Sequence, residues 1–293
     1  MDTEFLRKIK RLVIIAMFSD DDLMDILVLK GGNALDIIHQ IEQRASVDLD
    51  FSIEKEFRRE DLPIIESKIQ KILTETFKAE GYEVFDVTLV EKPEKISPEM
   101  AGFWGGYQVQ FKIIESEDYA RLSDNINSLR RNALVVGNKQ KRKIKIDISK
   151  FEYCIPKQKH EMDGYTIYVY TPEMIVIEKL RAICQQMPEY ADIVTTPSRS
   201  ARARDFFDIY ITIEHFGIDL TTSENTELLK NIFTVKKVPL QFIGNIQNYK
   251  EFHRSDFPAV KDTVKTGTEL RDFDFYFDYV VNKCKELESL GVV

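Results

Sequence analysis

Eight consecutive residues, Ser46 to Ile53, alternate strictly between polar and apolar side chains. A period of two means a β-strand with unlike faces. Val47, Leu49, Phe51 and Ile53 lie on one side, and Ser46, Asp48, Asp50 and Ser52 on the other. Two carboxylates at i and i+2 then point the same way, with Cα atoms roughly 6.5 Å apart from the strand rise. Like charges so placed repel each other unless a cation lies between them. Short carboxylates suit Mg²⁺, or Mn²⁺ in its place, because such an ion takes one or two protein oxygens and leaves its other positions to phosphates and water. A second period-two run, Lys143 to Ser149, adds Asp147 on a polar strand face of its own. The plainer alternative is that these aspartates lie on a solvated strand face, where most charges belong.

Upstream, Leu27-Val28-Leu29 ends at Lys30-Gly31-Gly32, and a helical pattern follows through Ala34, Leu35, Ile37, Ile38 and Ile41. That reads as a strand, a glycine turn and a helix. Glycines there let the backbone approach a phosphate, and the first N–H groups of a helix favour an anion. The alternative is an ordinary tight turn. Together, a phosphate cradle and a carboxylate pair at neighbouring strand ends make a nucleoside triphosphate site.

The rest of the chain divides in texture. Helices are expected at 3–18, 57–79 and 118–132, strands at 82–91 and 106–114, and a loop at 93–106. After about residue 165 the patterns are helical, at 172–186, 199–216, 222–233 and 268–289. Thr171 and Pro172 supply a cap and a first-turn proline for the first of these. The expected fold class is α/β (α+β), a mixed-sheet core over 1–165 followed by a helical domain over 166–293. With 293 residues, 43% of them hydrophobic, the chain can bury a full core.

The net charge of −8 excludes a globally basic surface, so a nucleic-acid partner needs a local patch. Lys139 to Lys145 holds five basic residues in seven, with Arg199 and Arg202 as possible extensions. It is either such a patch or a solvated hairpin turn. Cys154, Cys184 and Cys284 are too far apart for a C-x-x-C pattern, and the simplest home is a reducing cytoplasm. Arg7 to Arg11 before the apolar run Leu12–Phe18 imitates a signal peptide, but the acidic cluster after it makes an amphipathic helix the better reading. No stretch approaches the ~20 apolar residues of a membrane span. The four histidines lack metal-ligand spacing, and Trp104 suits a loop anchor better than a base platform.

Two segments taken together, Leu29-Lys-Gly-Gly-Asn-Ala-Leu35 and Arg44-Ala-Ser-Val-Asp-Leu-Asp-Phe51, resemble the first motif of the AbiEii/AbiGii-type nucleotidyltransferases. This family is polymerase-β-like and supplies the toxin halves of AbiE-type abortive-infection systems. Lys145 to Ser149, Glu178 to Ala182 and Arg204 to Ile209 resemble its later motifs, in order; residues 50–140 and 216–293 contribute nothing. The resemblance implies transfer of a nucleotide from an NTP to RNA, tRNA among the options, and a companion antitoxin. It implies Asp48, Asp50 and Asp147 as metal ligands, with Asp147 or Asp205 as the base. Gly31, Gly32, Asn33, Lys179 and Arg204 would hold the nucleotide, and Asp208 would orient the helical motif. One departure is that many nucleotidyltransferases carry Gly-Ser before a shorter gap to Asp-x-Asp. Here Gly31-Gly32 leave the loop without that hydroxyl, although Asn33 offers a side-chain contact. Lysines and aspartates on neighbouring helices also make ordinary ionic seams. The rival readings are a small-molecule or protein acceptor, and a catalytically silent binding protein on the same fold.

Overall fold

A computed structural model describes residues 3–41, 48–137, 140–195, 199–264 and 269–292. The chain forms two compact units. The first comprises Met1–Asn33, Val47–Ser97 and Trp104–Val169, and the second Ala34–Ser46, Pro98–Phe103 and Tyr170–Val293.

The first unit is built on a seven-stranded mixed sheet. Its strands are β1 (Val28–Lys30), β2 (Leu49–Ser52), β3 (Tyr82–Lys92), β4 (Gly106–Glu115), β5 (Ile144–Ser149), β6 (Gln158–Met162) and β7 (Tyr165–Val169). The spatial order is β3-β4-β5-β2-β1-β7-β6. The β2·β5 and β1·β7 pairs are parallel and the others antiparallel. Register aligns Leu49 with Ile146, Phe51 with Ile148, and Tyr107 and Val109 with Ile148 and Ile146. One face of the sheet is therefore apolar. Helices α1 (Thr3–Phe18) and α2 (Leu62–Lys78) supply apolar partners. Their buried positions, such as Ile69, Ile72, Leu73 and Phe77, recur at helical spacing. Phe77 meets Phe111 edge-on at 5.7 Å between centroids, and Phe18 meets Phe51 at 5.9 Å.

Most of the longer elements lie where the periodicity predicts them; besides unexpected short helices at Asp21–Ile26 and within 242–261, four differences stand out. Of the alternating run beginning at Ser46, Leu49–Ser52 is strand and Asp48 is a bend; Ser46 and Val47 lie outside the described residues. The cause is local, because the Asp48 carbonyl accepts a hydrogen bond from Asn33 Nδ2 at 2.5 Å and Asp48 sits in an exposed bend. The helix expected after the glycines is a single turn, Gly31–Asn33, continued as a π-helical turn, Ala34–Ile38. The helix expected at 118–132 is broken into Ser116–Leu122 and Ile126–Asn132, because the Asn125 side chain caps the second by accepting from the N–H groups of Asn127 and Ser128. The β6–β7 hairpin was not foreseen; it turns through Asp163 and Gly164, both at positive φ.

The second unit is helical apart from short connections. Its long helices are α3 (Pro172–Cys184), α4 (Ala203–Phe216), α5 (Ser223–Thr234) and α6 (Phe273–Ser289), close to the expected spans. Helix α3 starts as expected: Thr171 accepts from the Met174 N–H at 3.2 Å, with proline behind it. An aromatic cluster joins α4 to α6, with Phe206 stacked on Phe277 at 5.2 Å and Phe207 edge-on to Tyr276 at 5.2 Å. No helix among the described residues is long and apolar enough to cross a membrane. The three cysteines are buried free thiols.

Candidate active site

Pairing of β2 with β5 sets Asp50 directly beside Asp147 on the polar face of the sheet. Neighbouring strands lie roughly 4.8 Å apart, so two carboxylates 97 positions apart in sequence become closer neighbours than Asp48 and Asp50 would be along one strand. Both are partly exposed, as oxygens that receive a ligand must be. Antiparallel pairing of β1 with β2 places Lys30 opposite Asp50, so the glycine turn begins beside this pair.

Gly31 explains why that turn is glycine. Its φ of +70° belongs to the left-handed region, and a Cβ built there would lie 2.8 Å from Asp50 Oδ2. Any side chain would both strain the backbone and push the carboxylate aside. Behind the turn Lys30 and Glu152 are buried, with Lys30 Nζ 3.6 Å from Glu152 Oε1. Asn33, fully buried, ties the turn to the chain entering β2 through its hydrogen bond to Asp48. Its Oδ1 has no hydrogen-bond partner among the described residues.

Asp147 is held from the opposite side. Gln108 on β4 is its register partner and donates from Nε2 to Asp147 Oδ1 at 2.8 Å. Gln108 in turn accepts from Gln110 Nε2, and Gln110 Oε1 accepts from Lys143 Nζ at 3.1 Å. Neither glutamine is signalled by sequence, because only the β4·β5 register brings them to the aspartate.

The structure therefore joins Asp50, Asp147 and Gly31, and sets Asp48 apart in the bend before β2. Among the described residues no three acidic, histidine or cysteine side chains cluster as a ready-made metal cage. Asp50 and Asp147 nonetheless fit a hard divalent cation, which needs few protein oxygens when phosphates supply others. The uncovered backbone at Gly31 leaves room beside them that a Cβ would fill.

Next to Asp48 lies a cavity of about 230 Å³, lined in part by Leu6, Lys10, Val136, Lys141 and Lys145. It sits against the basic turn, of which Lys139 lies outside the described residues. Val136 N–H donates to the Lys141 carbonyl at 2.8 Å, and Arg142 donates to the Ala133 carbonyl. Lys141 and Lys145 are exposed.

The helical motifs form a second charged group. Lys179 on α3 is buried, and its Nζ lies 2.8 Å from both Asp205 Oδ1 and Asp208 Oδ2 on α4. Arg202 Nε lies 2.5 Å from Asp205 Oδ2. Burial pushes the Asp205 carboxyl up, but the cations of Arg202 and Lys179 outweigh it and hold the group below the ordinary carboxylate value. His253 closes this group by accepting the Arg202 N–H on Nδ1 at 3.1 Å. Arg204 Nε is buried with no hydrogen-bond partner among the described residues. Arg199 donates to the Gln186 carbonyl at 2.7 Å and lies over the Phe252 ring. In the loop before β4 the buried aromatic is Phe103, whereas Trp104 is half-buried.

Acidic oxygens on adjoining strands, a bare glycine turn against one of them and cations at the rim are the parts that nucleotidyl transfer requires, which makes the chain's class a nucleotidyltransferase. The chain belongs to the AbiEii family of nucleotidyl transferase toxins of type IV toxin–antitoxin systems, whose model matches residues 13–279. No curated protein matches it significantly. Among solved structures, a nucleotidyltransferase candidate from H. pylori is 15% identical, with a TM-score of 0.49 and 99% of each chain covered. JHP933 from Helicobacter pylori is 18% identical, with a TM-score of 0.46, covering 97% of this chain and 92% of that one. An antigenic nucleotidyltransferase-like protein from Paracoccidioides brasiliensis is 13% identical, with a TM-score of 0.39, covering 80% and 94%.

Proposed function

We propose that the chain moves a nucleotide from an NTP, with Mg²⁺ or Mn²⁺, to an RNA acceptor, and that a cognate antitoxin restrains it. The observation that carries this reading is the juxtaposition of Asp50 and Asp147 beside the side-chain-free turn at Gly31. Asp50 and Asp147 would hold the metal, with Asp48 joining from the bend. When bound, the ion would stabilise charge on the attacking and leaving oxygens of an in-line displacement at the α-phosphate. Gly31 and Gly32 let the triphosphate lie against the backbone, and Asn33 keeps that turn attached to the start of β2.

The acceptor is assigned to RNA because the acidic chain offers a polyanion a local cationic rim, with Lys141 and Lys145 exposed beside Asp48. Asp147 follows that rim on β5, so an RNA end drawn to the turn is led toward the carboxylates. Either Asp147 or Asp205 would take the proton of the attacking hydroxyl. The resemblance of residues 178–182 and 204–209 to the family's later motifs implies a part in transfer for Lys179, Arg204 and Asp205.

The test is transfer of label from each of the four NTPs, with Mg²⁺ or Mn²⁺, to purified RNA, to small molecules and to protein. Label on RNA that is lost in Asp50→Asn supports the proposal. Label only on a small molecule or on protein moves the acceptor to that class, and metal-dependent NTP binding without transfer makes the chain a silent binding protein.

A further inference from the structure

A line of hydrogen bonds crosses the polar sheet face from the basic turn to the carboxylate pair. It runs from Lys143 Nζ to Gln110 Oε1, from Gln110 Nε2 to Gln108 Oε1, and from Gln108 Nε2 to Asp147 Oδ1. A glutamine amide has a donating and an accepting end, and alone it can flip between them. Here both ends of the line forbid that. An ammonium can only donate, so Gln110 must turn its oxygen to Lys143 and its NH₂ to Gln108. Gln108 must then offer its oxygen to Gln110 and its NH₂ to Asp147, whose carboxylate can only accept. Flipping either amide would set NH₂ against ammonium or oxygen against carboxylate.

The consequence falls on Asp147. One of its oxygens is held by a donor of fixed sense, and Oδ2 makes no hydrogen bond among the described residues. Gln108 and Gln110 are only partly buried, and the polar face is not their core-packing side. Two glutamines two apart on one strand are well suited to this, since both point to the same face.

We infer that Gln108 is a positioning residue of the transfer site, locked in its donating sense by Gln110 and Lys143. It pins Asp147 by Oδ1 and reserves Oδ2 for the metal or the acceptor hydroxyl. This rests on the reading of Asp147 as a site carboxylate. Partners that orient a metal's carboxylate ligands are typically worth about 10–100-fold in metal affinity or activity. The effect should travel along the line: Gln110 acts only through Gln108, and so matters less.

The experiment compares Gln108→Met, Gln110→Met, the double variant and Asp147→Asn with the unaltered chain. Mn²⁺ binding is followed by electron paramagnetic resonance with a non-hydrolysable NTP analogue present, turnover by label transfer, and folding by melting temperature. Gln108→Met should weaken Mn²⁺ binding or kcat about 10–100-fold while KM for NTP and the melting temperature stay near wild type. Gln110→Met should cost less, and the double variant no more than Gln108→Met alone, the non-additivity of residues in one network. If Gln108→Met matches the unaltered chain in Mn²⁺ binding and turnover while Asp147→Asn is defective, the inference fails and the site reading stands. If Asp147→Asn also behaves as wild type, the site reading fails first. Effects of the two methionine variants that simply add would overturn the relay.

Discussion

The two groups of aspartates, one on the sheet and one in the helical unit, sit in opposite surroundings. On the sheet, Asp50 and Asp147 are partly exposed, beside amide donors and a bare glycine turn. In the helical unit, Asp205 and Asp208 are buried against Lys179 and Arg202. A carboxylate left at a surface, with its nearest like charge beside it, is available to a ligand. A carboxylate buried on a cation is first of all part of the fold, since breaking such a pair leaves an uncompensated buried charge. The comparison predicts that substitutions in the first group remove activity and spare stability, and that those in the second remove stability.

The largest effect is expected from Asp50→Asn or Asp147→Asn. Each should lower turnover at least about a thousandfold, equivalent to roughly 4 kcal/mol of transition-state stabilisation. Urea unfolding should stay near wild type. Turnover close to wild type in both variants would remove the distinction between the units.

Next comes Lys179→Met, which removes the buried cation shared by Asp205 and Asp208. It should destabilise the protein by about 3–5 kcal/mol, read from urea or thermal unfolding. A stable variant that has lost only NTP binding would instead show that Lys179 serves the nucleotide before the fold.

His253 sharpens the same contrast through pH. Burial lowers its pKa to about 4 from 6.5; Asp205 opposes the shift, and Arg202 and Arg199 add to it. The unfolded chain therefore takes up this proton first as the pH falls. Stability should be full above pH 6.5 and decline between 6.5 and about 4, by roughly 3 kcal/mol for this group alone. Equilibrium unfolding across that range, compared with His253→Gln, should show a shallower acid limb in the variant. Equal limbs would take the buried imidazole out of the account.

The smallest effect concerns the rim of the first unit. Replacing Lys141 and Lys145 with alanine should weaken RNA binding and flatten its salt dependence by about 0.7 log units per lost phosphate contact. NTP affinity should not change. An unaltered salt slope would make the turn a solvated hairpin.

What the sequence revealed of all this follows the range of the interactions. Alternation in 46–53 and 143–149 is a local property, so the strands and the polar side of Asp50 and Asp147 were legible. Helical spacing and the Thr171-Pro172 start located α3 for the same reason. Hairpin β6–β7 escaped because β6 is a largely exposed edge strand with no apolar rhythm, although Asp163-Gly164 was a usable turn signal. The π-helical turn at 34–38 carries the apolar spacing of an ordinary helix and cannot be told from one. Neighbour relations across strands were out of reach. That Asp50 would stand beside Asp147, and Gln108 behind it, depends on register between segments far apart in sequence. The buried state of Lys179 was likewise invisible, since its sequence pattern suits a surface seam equally well.

The chain passes from one unit to the other at 33/34, 46/47, 97/98, 103/104 and 169/170. Two short excursions of the amino-terminal half thus belong to the helical unit. There the His39 ring bonds the Tyr170 carbonyl at 2.8 Å, and the carbonyl of buried Phe103 accepts from Lys236 Nζ at 3.3 Å. Cutting the gene at codon 169 would therefore separate two incomplete pieces: one trailing peptides with no core to join, the other lacking parts of its own. Split-gene complementation should succeed only where both fragments are made together, and a modular swap of the sheet unit onto another helical unit would have to carry three stretches of coding sequence.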